Sequence, residues 1–420
     1  MSTNNKIYPK VLILGNCFDE FSGAGVTLTN LFKDWPKEKI AVASESLDIS
    51  YCEKERPCHS YYKLGIGAVS PKITNETYQR NNKNKRSAPR EFVSYVATKT
   101  GRTDWAPSYK FNKDFLEFFD NFAPDVVYSA LGSIAMMNLY LKLMSARKFK
   151  PVIHIWDDFV GRYNYRWFPS LWKRAGEKVF NKVLTRKDML CLAIGDKMAL
   201  EYNKRYNREF FPFHNPVDPE IWDATPLTEP NTPVVSYFGK INKNTIEGVI
   251  DMCRAVEILN AKGIEINFRI HSGMMNIPRM NEILQYPHSK VADLLPREEI
   301  PFAFKSSTFL FFPISFDKKS VKYQKLSIQT KLTEYLISKV PIIMYSSPDI
   351  AVYEYLDKHS AAITCKYGSE NIAQCLENAL KEKGTVRKIA DRAYNLAIKK
   401  HTVAFVRENF REHILNTSSK

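Results

Sequence analysis

The chain has 420 residues, 44% of them hydrophobic and 13% aromatic, a composition that excludes a disordered polymer and suits two or three domains with large cores. Its formal charge of +16 and pI near 9.3 favour an anionic partner such as nucleic acid, acidic lipid or acidic glycan. No apolar run reaches membrane-spanning length, and MSTNNKIYPKVLILG enters a strand without a signal peptide's apolar core and cleavage site. A cytoplasmic protein is therefore expected. The seven cysteines are scattered, without a C-x-x-C pair or clustered histidines, and read as reduced thiols rather than a disulfide framework or zinc site. No zinc-finger spacing or RNA-recognition signature supports nucleic acid as the partner.

Taken in order, VLILG at Val11 to Gly15 predicts a strand, NCFDEFSGAG a loop, and Val26 to Trp35 a helix with Ser22 as a plausible N-cap. Gly23 and Gly25 let the backbone come close to whatever lies at that helix end, although the spacing is not G-x-G-x-x-G. Ser46 to Trp105 has little periodicity and a heavy basic load, including Lys72, Arg80, Lys83, Lys85, Arg86, Arg90, Lys99 and Arg102. It reads as a long, partly mobile insertion: a solvated basic face, or a dock for an anionic acceptor or membrane.

Alternation resumes with helix Asp114–Phe122, strand Asp125–Ala130, helix Ser133–Arg147 and strand Pro151–Trp156. The last delivers His154, Trp156, Asp157 and Asp158 to a strand end, where polar groups are candidates for chemistry or for capping the next element. Arg166–Lys187 reads as a helix mixing Trp167, Phe168, Leu171 and Trp172 with lysines and arginines. That suits a membrane interface, or a helix whose aromatics face the core. Strand Leu190–Ile194 and helix Lys197–Tyr206 lead to FFPFHNPVD and a proline-rich boundary.

Strand Val234–Phe238, GKINKN and helix Thr245–Ala261 restart the pattern, followed by strand Ile266–His271, a turn at Ser272 and Gly273, a helix near Arg279–Gln285 and helix Glu298–Lys305. Phe311 to Ser346 then offers a buried strand ending at Pro313, a polar basic loop, a helix over Ser327–Ser338 and a second buried strand from Val340. Lys331 and Glu334 stand near the start of that helix, so its amides and dipole would favour phosphate while a carboxylate could accept ribose hydroxyls. An ordinary amphipathic helix with a solvated Lys and Glu is the bland alternative. Two rounds of alternation predict two doubly wound α/β domains with a cleft between them.

The order of the pieces resembles the GT-B glycosyltransferases, specifically the large retaining, family 4-like group that builds bacterial cell-surface polysaccharides and glycolipids. The residues that carry the resemblance are SGAG at Ser22–Gly25, HIWDD at His154–Asp158, HNPVD at His214–Asp218, YFGK at Tyr237–Lys240 and TKLTEYL at Thr330–Leu336. It implies an acceptor domain over 1–215, a nucleotide-sugar domain over 216–400 and a last helix over 401–420 packing back toward the first. It further implies Glu334 on the donor ribose and Lys240, after Gly239, in the place of an arginine that meets the diphosphate, approached by Gly25. Lys331, Thr330, Lys243, Gly23 and Ser315 complete the expected donor set, and Asp157 and His154 are expected to orient the acceptor.

Two departures are visible. Leu326 occupies the position of the group's first glutamate, and its downstream lysine is replaced by Thr245 or Glu247 according to register, leaving Lys243 or Lys331 to substitute. The reaction implied is transfer of a hexose-type sugar from a nucleotide-diphosphate sugar to a glycan or lipid-linked acceptor, with retention, without a metal or cofactor, at the inner face of an anionic membrane. A nucleotide-sugar epimerase and a noncatalytic glycan- or nucleic-acid-binding module of the same fold are the alternatives.

Overall fold

The computed structural model describes residues 6–19, 22–45, 57–65, 67–68, 88–102, 109–163, 166–272, 277–293 and 295–416. It divides into two compact units, one formed by Met1–Pro216 with Ala404–Lys420 and the other by Val217–Val403.

The first unit is built on an eight-stranded sheet in the order β4-β3-β2-β1-β5-β6-β7-β8. Its strands are β1 Val11–Leu14, β2 Ile40–Ser44, β3 Ser60–Lys63, β4 Gly67–Ala68, β5 Val126–Ser129, β6 Lys150–Ile155, β7 Leu190–Ala193 and β8 Phe211–Pro212. All neighbours run parallel except β3 and β4. The central strands are buried on both faces, so β1, β2, β5 and β6 are buried at every position, as parallel sheets covered by helices require. The terminal helix Val403–Asn416 closes this core: Phe410 lies edge-on to Phe32, with centroids 5.1 Å apart, and also meets Tyr128 and Phe213. Burial of such a ring contributes about 1.5–3 kcal/mol, and Arg407 fixes the helix by donating to Asn30 O at 2.6 Å.

The second unit has six parallel strands in the order β11-β10-β9-β12-β13-β14: β9 Val234–Phe238, β10 Asn267–His271, β11 Ser289–Ala292, β12 Phe309–Pro313, β13 Ile342–Tyr345 and β14 Ile363–Cys365. Its sheet separates two apolar layers, one gathered around the Ile246–Ala261 helix and the other around Leu332, Tyr335 and Leu336. The strand order reverses between β1 and β5 in the first unit and between β9 and β12 in the second. Such switches open a crevice at the carboxyl ends of the strands, where ligands bind in open α/β sheets.

Several elements differ from the sequence expectations. The supposed insertion contributes β3, a parallel strand with Ser60 opposite Ala41, and a helix over Ala88–Lys99. SYYK is too short to show a period, and its pairing with β2 is not local. Lys72, Arg80, Lys83, Lys85 and Arg86 lie outside the described residues, as does Gly273. The basic loop after β12 holds a helix, Lys318–Gln324, because Asp317 caps it by accepting from the amides of Lys319 and Ser320. The helix expected over Ser327–Ser338 covers only Leu332–Ile337, too short for a strong macrodipole. The Arg166–Lys187 helix covers Pro169–Val183, with Gly176, Phe180 and Val183 on its buried face.

Candidate functional site

The charged groups of the second unit converge on the β9–β12 switch. Gly239 leaves β9 at φ 136°, which only glycine adopts without strain, and donates its N–H to His271 O at 3.0 Å. A Cβ there would meet nothing nearer than Tyr237 Oη at 3.5 Å and Lys331 Nζ at 3.6 Å, so the conformation, not crowding, demands glycine. The following turn is stapled by Tyr237 donating to Lys240 O at 3.1 Å and by Asn242 N–H donating to Thr245 Oγ1 at 3.0 Å. Lys240 and Lys243 project from it and are exposed.

Lys331 reaches back from the start of the Leu332–Ile337 helix and donates to Phe238 O at 3.2 Å. Its ammonium lies 4.6, 4.7 and 5.4 Å from the ring centroids of Tyr237, Phe312 and Tyr335, an aromatic cage drawn from two strands and the helix. Burial pushes its pKa down to about 7, opposed by the Glu334 carboxylate. Burial likewise raises the Glu334 pKa, opposed by Arg297 and then Lys331. Lys331 and Glu334 are both half-buried, and the desolvated, ring-lined ammonium would meet an arriving charge more strongly than in water.

Around it the remaining expected donor residues serve local structure. Ser315 is buried and accepts from Asp317 N–H at 3.0 Å, fixing the turn into the capped helix. Thr330 is half-buried, its carbonyl accepting from Thr333 Oγ1 at 3.5 Å. Leu326 is buried at 5% exposure, so the position of the absent glutamate faces packing. Sequence reasoning missed Arg297, the three cage rings and His271. The buried His271 imidazole stacks on Phe238 at 4.6 Å and 4°. Burial, with Arg269 beside it, pushes its pKa down to about 4. Tyr237 and Phe238, successive on β9, belong to opposite core layers, and nothing in a linear pattern brings Tyr237, Phe312 and Tyr335 to the same ammonium.

At the first unit's switch, polar groups satisfy one another. Ser22 caps the Gly23–Phe32 helix by accepting from Gly25 N–H at 2.9 Å. The Asp19 carboxylate takes Ser22 N–H at 2.5 Å and Ser22 Oγ–H at 2.6 Å, and lies so close over Gly25 that a Cβ there would be 2.1 Å from it. A larger residue at Gly25 would have to displace the Asp19 carboxylate, and the Gly25 amide is engaged by Ser22. The Gly23 carbonyl accepts from Thr27 Oγ1 at 2.8 Å.

His154 is wholly buried on β6, its Nδ1 2.7 Å from Tyr128 Oη and its Nε2 3.1 Å from Phe213 O. Burial pushes its pKa down to about 3, so it stays neutral. Of the adjacent aspartates, Asp158 turns inward to Tyr202 Oη at 3.0 Å and Arg205 at 2.9 Å, while Asp157 is exposed at the strand end. The structure therefore brings Lys331 against Gly239, with Glu334 close enough to act on its charge, and leaves His154 within the core. Among the described residues no three His, Cys, Asp or Glu side chains gather as a metal site.

No family model matches the chain, and no curated protein matches it significantly by sequence. Solved structures do match it. Sucrose-phosphate synthase from Thermosynechococcus elongatus aligns with a TM-score of 0.64 at 10% identity, over 97% of this chain and 98% of that one. HepE from Anabaena, in complex with UDP-glucose, aligns with a TM-score of 0.60 at 11% identity, over 97% and 100%. WaaG, a glycosyltransferase involved in lipopolysaccharide biosynthesis, aligns with a TM-score of 0.59 at 12% identity, over 95% and 98%. The fold is GT-B. In this GT-B chain the caged lysine and its carboxylate occupy the carboxyl edge of the second parallel sheet.

Proposed function

We propose that this chain transfers a sugar from a nucleoside-diphosphate sugar to a glycan or lipid-linked acceptor at the inner face of a membrane. The observation that carries the reading is Lys331 beside the open backbone of Gly239 at the β9–β12 switch, with the Glu334 carboxylate near enough to act on its charge. A fixed ammonium there suits a diphosphate and a carboxylate suits the paired hydroxyls of a ribose. The GT-B fold of proteins whose structures hold UDP-glucose supports it.

In this reading the bond between the sugar's anomeric carbon and the diphosphate oxygen breaks while a bond to the acceptor oxygen forms on the same face. The acceptor's proton passes to an oxygen of the departing diphosphate. Negative charge grows on that leaving group, and Lys331, with Lys240 and Lys243 on the adjoining turn, stabilises it without reorganising. Gly239 and Thr330 line the approach, Ser315 holds the loop, and neither a metal nor a further cofactor takes part.

In the first unit Asp157 meets the acceptor hydroxyl, and His154 acts through the strand end that it anchors. The Gly25 amide, two residues after Gly23, becomes available to a ligand only if Ser22 releases it. A thermal-shift screen against a panel of nucleotide sugars tests the reading, since a ligand of the folded state raises its apparent stability. Stabilisation by one donor, followed by release of its nucleoside diphosphate with acceptor, is expected. A shift with none, or conversion of the donor alone to an epimer, would sink it.

A further inference from the structure

The second unit carries a pair of sulfurs that sugar transfer does not use. Cys365 closes β14, and Cys375 lies in the second turn of the Ser369–Lys381 helix that follows it. The turn between them brings the two side chains together. Their thiols share a hydrogen bond, and Cys375 Sγ lies 3.8 Å from Thr364 O, on the peptide group that leads into Cys365. Both are free thiols, Cys365 buried at 3% exposure and Cys375 half-buried.

The other buried cysteines show what packing does by itself. Burial pushes the Cys58, Cys191 and Cys253 thiols up to about 12, which keeps them protonated and inert. Cys375 goes the other way, below the ordinary thiol range, because the Cys365 S–H stabilises its thiolate. The same hydrogen bond, with burial, holds Cys365 well above that range. A partly accessible nucleophilic sulfur in contact with a buried, protonated one is the arrangement in which the first is oxidised and the second resolves it.

The segment that joins the two cysteines is wired into the unit. Gly368, at φ 109°, donates its N–H to Tyr345 Oη at 2.9 Å, and Tyr345 donates to Asp251 Oδ2 at 2.7 Å on the Ile246–Ala261 helix. Tyr367, 64% exposed, stacks on Tyr345 with centroids 6.4 Å apart. A bond between the sulfurs, which brings them to ~2.05 Å, ties the helix on one side of this turn to the strand on the other.

We propose that Cys375 and Cys365 form a peroxide-responsive pair, Cys375 the nucleophile and Cys365 the resolving thiol, whose disulfide fastens the Ser369–Lys381 helix to β14. The Cys375 sulfur attacks one oxygen of hydrogen peroxide, so that an S–O bond forms while the O–O bond breaks, and the departing hydroxide takes up the Cys375 proton as water. The Cys365 sulfur then attacks the Cys375 sulfur of the sulfenic acid. The S–S bond forms, the S–O bond breaks, and the hydroxyl leaves as a second water with the Cys365 proton. Two thiols and one peroxide thus give one disulfide and two waters. The pair stands apart from the donor reading and does not depend on it.

The test is peptide mapping of the full chain after exposure to hydrogen peroxide, with trypsin digestion under non-reducing conditions. Cleavage after Lys358, Lys366 and Lys381 puts Cys365 in peptide 359–366 and Cys375 in peptide 367–381, so the bond joins two separate peptides. That linked pair is expected, with loss of both thiols, reversal by dithiothreitol and a thermal midpoint about 2 °C or more above that of the reduced chain. Cys365→Ala should strand Cys375 as a sulfenic acid that dimedone traps, whereas Cys375→Ser should leave Cys365 unreacted at the same peroxide dose. The wild-type map needs no variant, so it decides the matter even where the core substitution Cys365→Ala fails to fold. Oxidation of other cysteines while this pair stays unlinked, or sulfinic acid at Cys375 without the linked peptides, overturns the proposal. An oxidised chain whose midpoint equals or falls below that of the reduced one overturns the fastening.

Discussion

At the β1–β5 switch of the first unit the polar groups spend their bonds on each other: Asp19 on Ser22, Ser22 on Gly25, His154 on Tyr128 and the Phe213 carbonyl. At the β9–β12 switch of the second, a lysine is desolvated among three rings with one backbone acceptor and a carboxylate three residues on. The two sheets use the same strand geometry, yet one edge spends its polar groups on local bonds and the other holds a desolvated ammonium. A buried group that is fully bonded stabilises the fold, whereas a charge desolvated without full compensation is costly and is retained where it meets a ligand.

That contrast can be broken in four ways. The largest effect is expected on stability from His154→Ala, which strands the Tyr128 hydroxyl in the core and leaves a void: a loss of ~2–4 kcal/mol by denaturant unfolding, with the donor-induced thermal shift retained. Loss of donor binding in a variant that stays folded would place His154 in the binding machinery instead.

Glu334→Ala is the opposite case. Donor affinity measured by calorimetry should weaken by ~1.5–3 kcal/mol, as for hydrogen bonds to a charged group, with little change in unfolding midpoint. An unchanged affinity would remove the carboxylate from the ribose.

Lys331→Met should weaken donor binding by at least ~1.4 kcal/mol, a factor of ten, while leaving stability equal or higher because a desolvated amine is gone. It also gives the comparison a pH signature. The Lys331 amine, with a folded pKa of about 7 against an ordinary value of 10.5, is charged below pH 7 and increasingly neutral above it. An anionic donor favours the charged form, so affinity falls as pH rises through this range, and the Met variant should show no such slope. Glu334, Arg297 and the Tyr237 hydroxyl, itself pushed up to about 12 by burial, face the same region and do not reverse that sign. A pH-independent wild type would mean that Lys331 does not meet the anion.

The smallest effect is Ser22→Ala, which removes a helix cap and should cost about 1 kcal/mol of stability with an unaltered donor shift. A changed donor shift in this variant would mean that Ser22 does more than cap its helix.

Alternating apolar runs and amphipathic segments revealed most strands and helices, because both faces of a central parallel strand are buried and a covering helix buries one. Strands such as Val234–Phe238 and helices such as Ile246–Ala261 were therefore legible from residue order alone. What failed were elements with weak local signals: β2 and β3, recognisable only once Ser60 pairs with Ala41, and the Lys318–Gln324 helix, whose basic composition looked like loop. The three-residue spacing of Lys331 and Glu334 was also written in the sequence. That Lys331 is caged, that Asp158 turns in while Asp157 turns out, and that His154 has no exposed surface were decided by the tertiary structure. Desolvation and ring proximity depend on Phe312, Tyr237 and Tyr335 arriving from separate strands and a helix, and no one-dimensional period records where they meet.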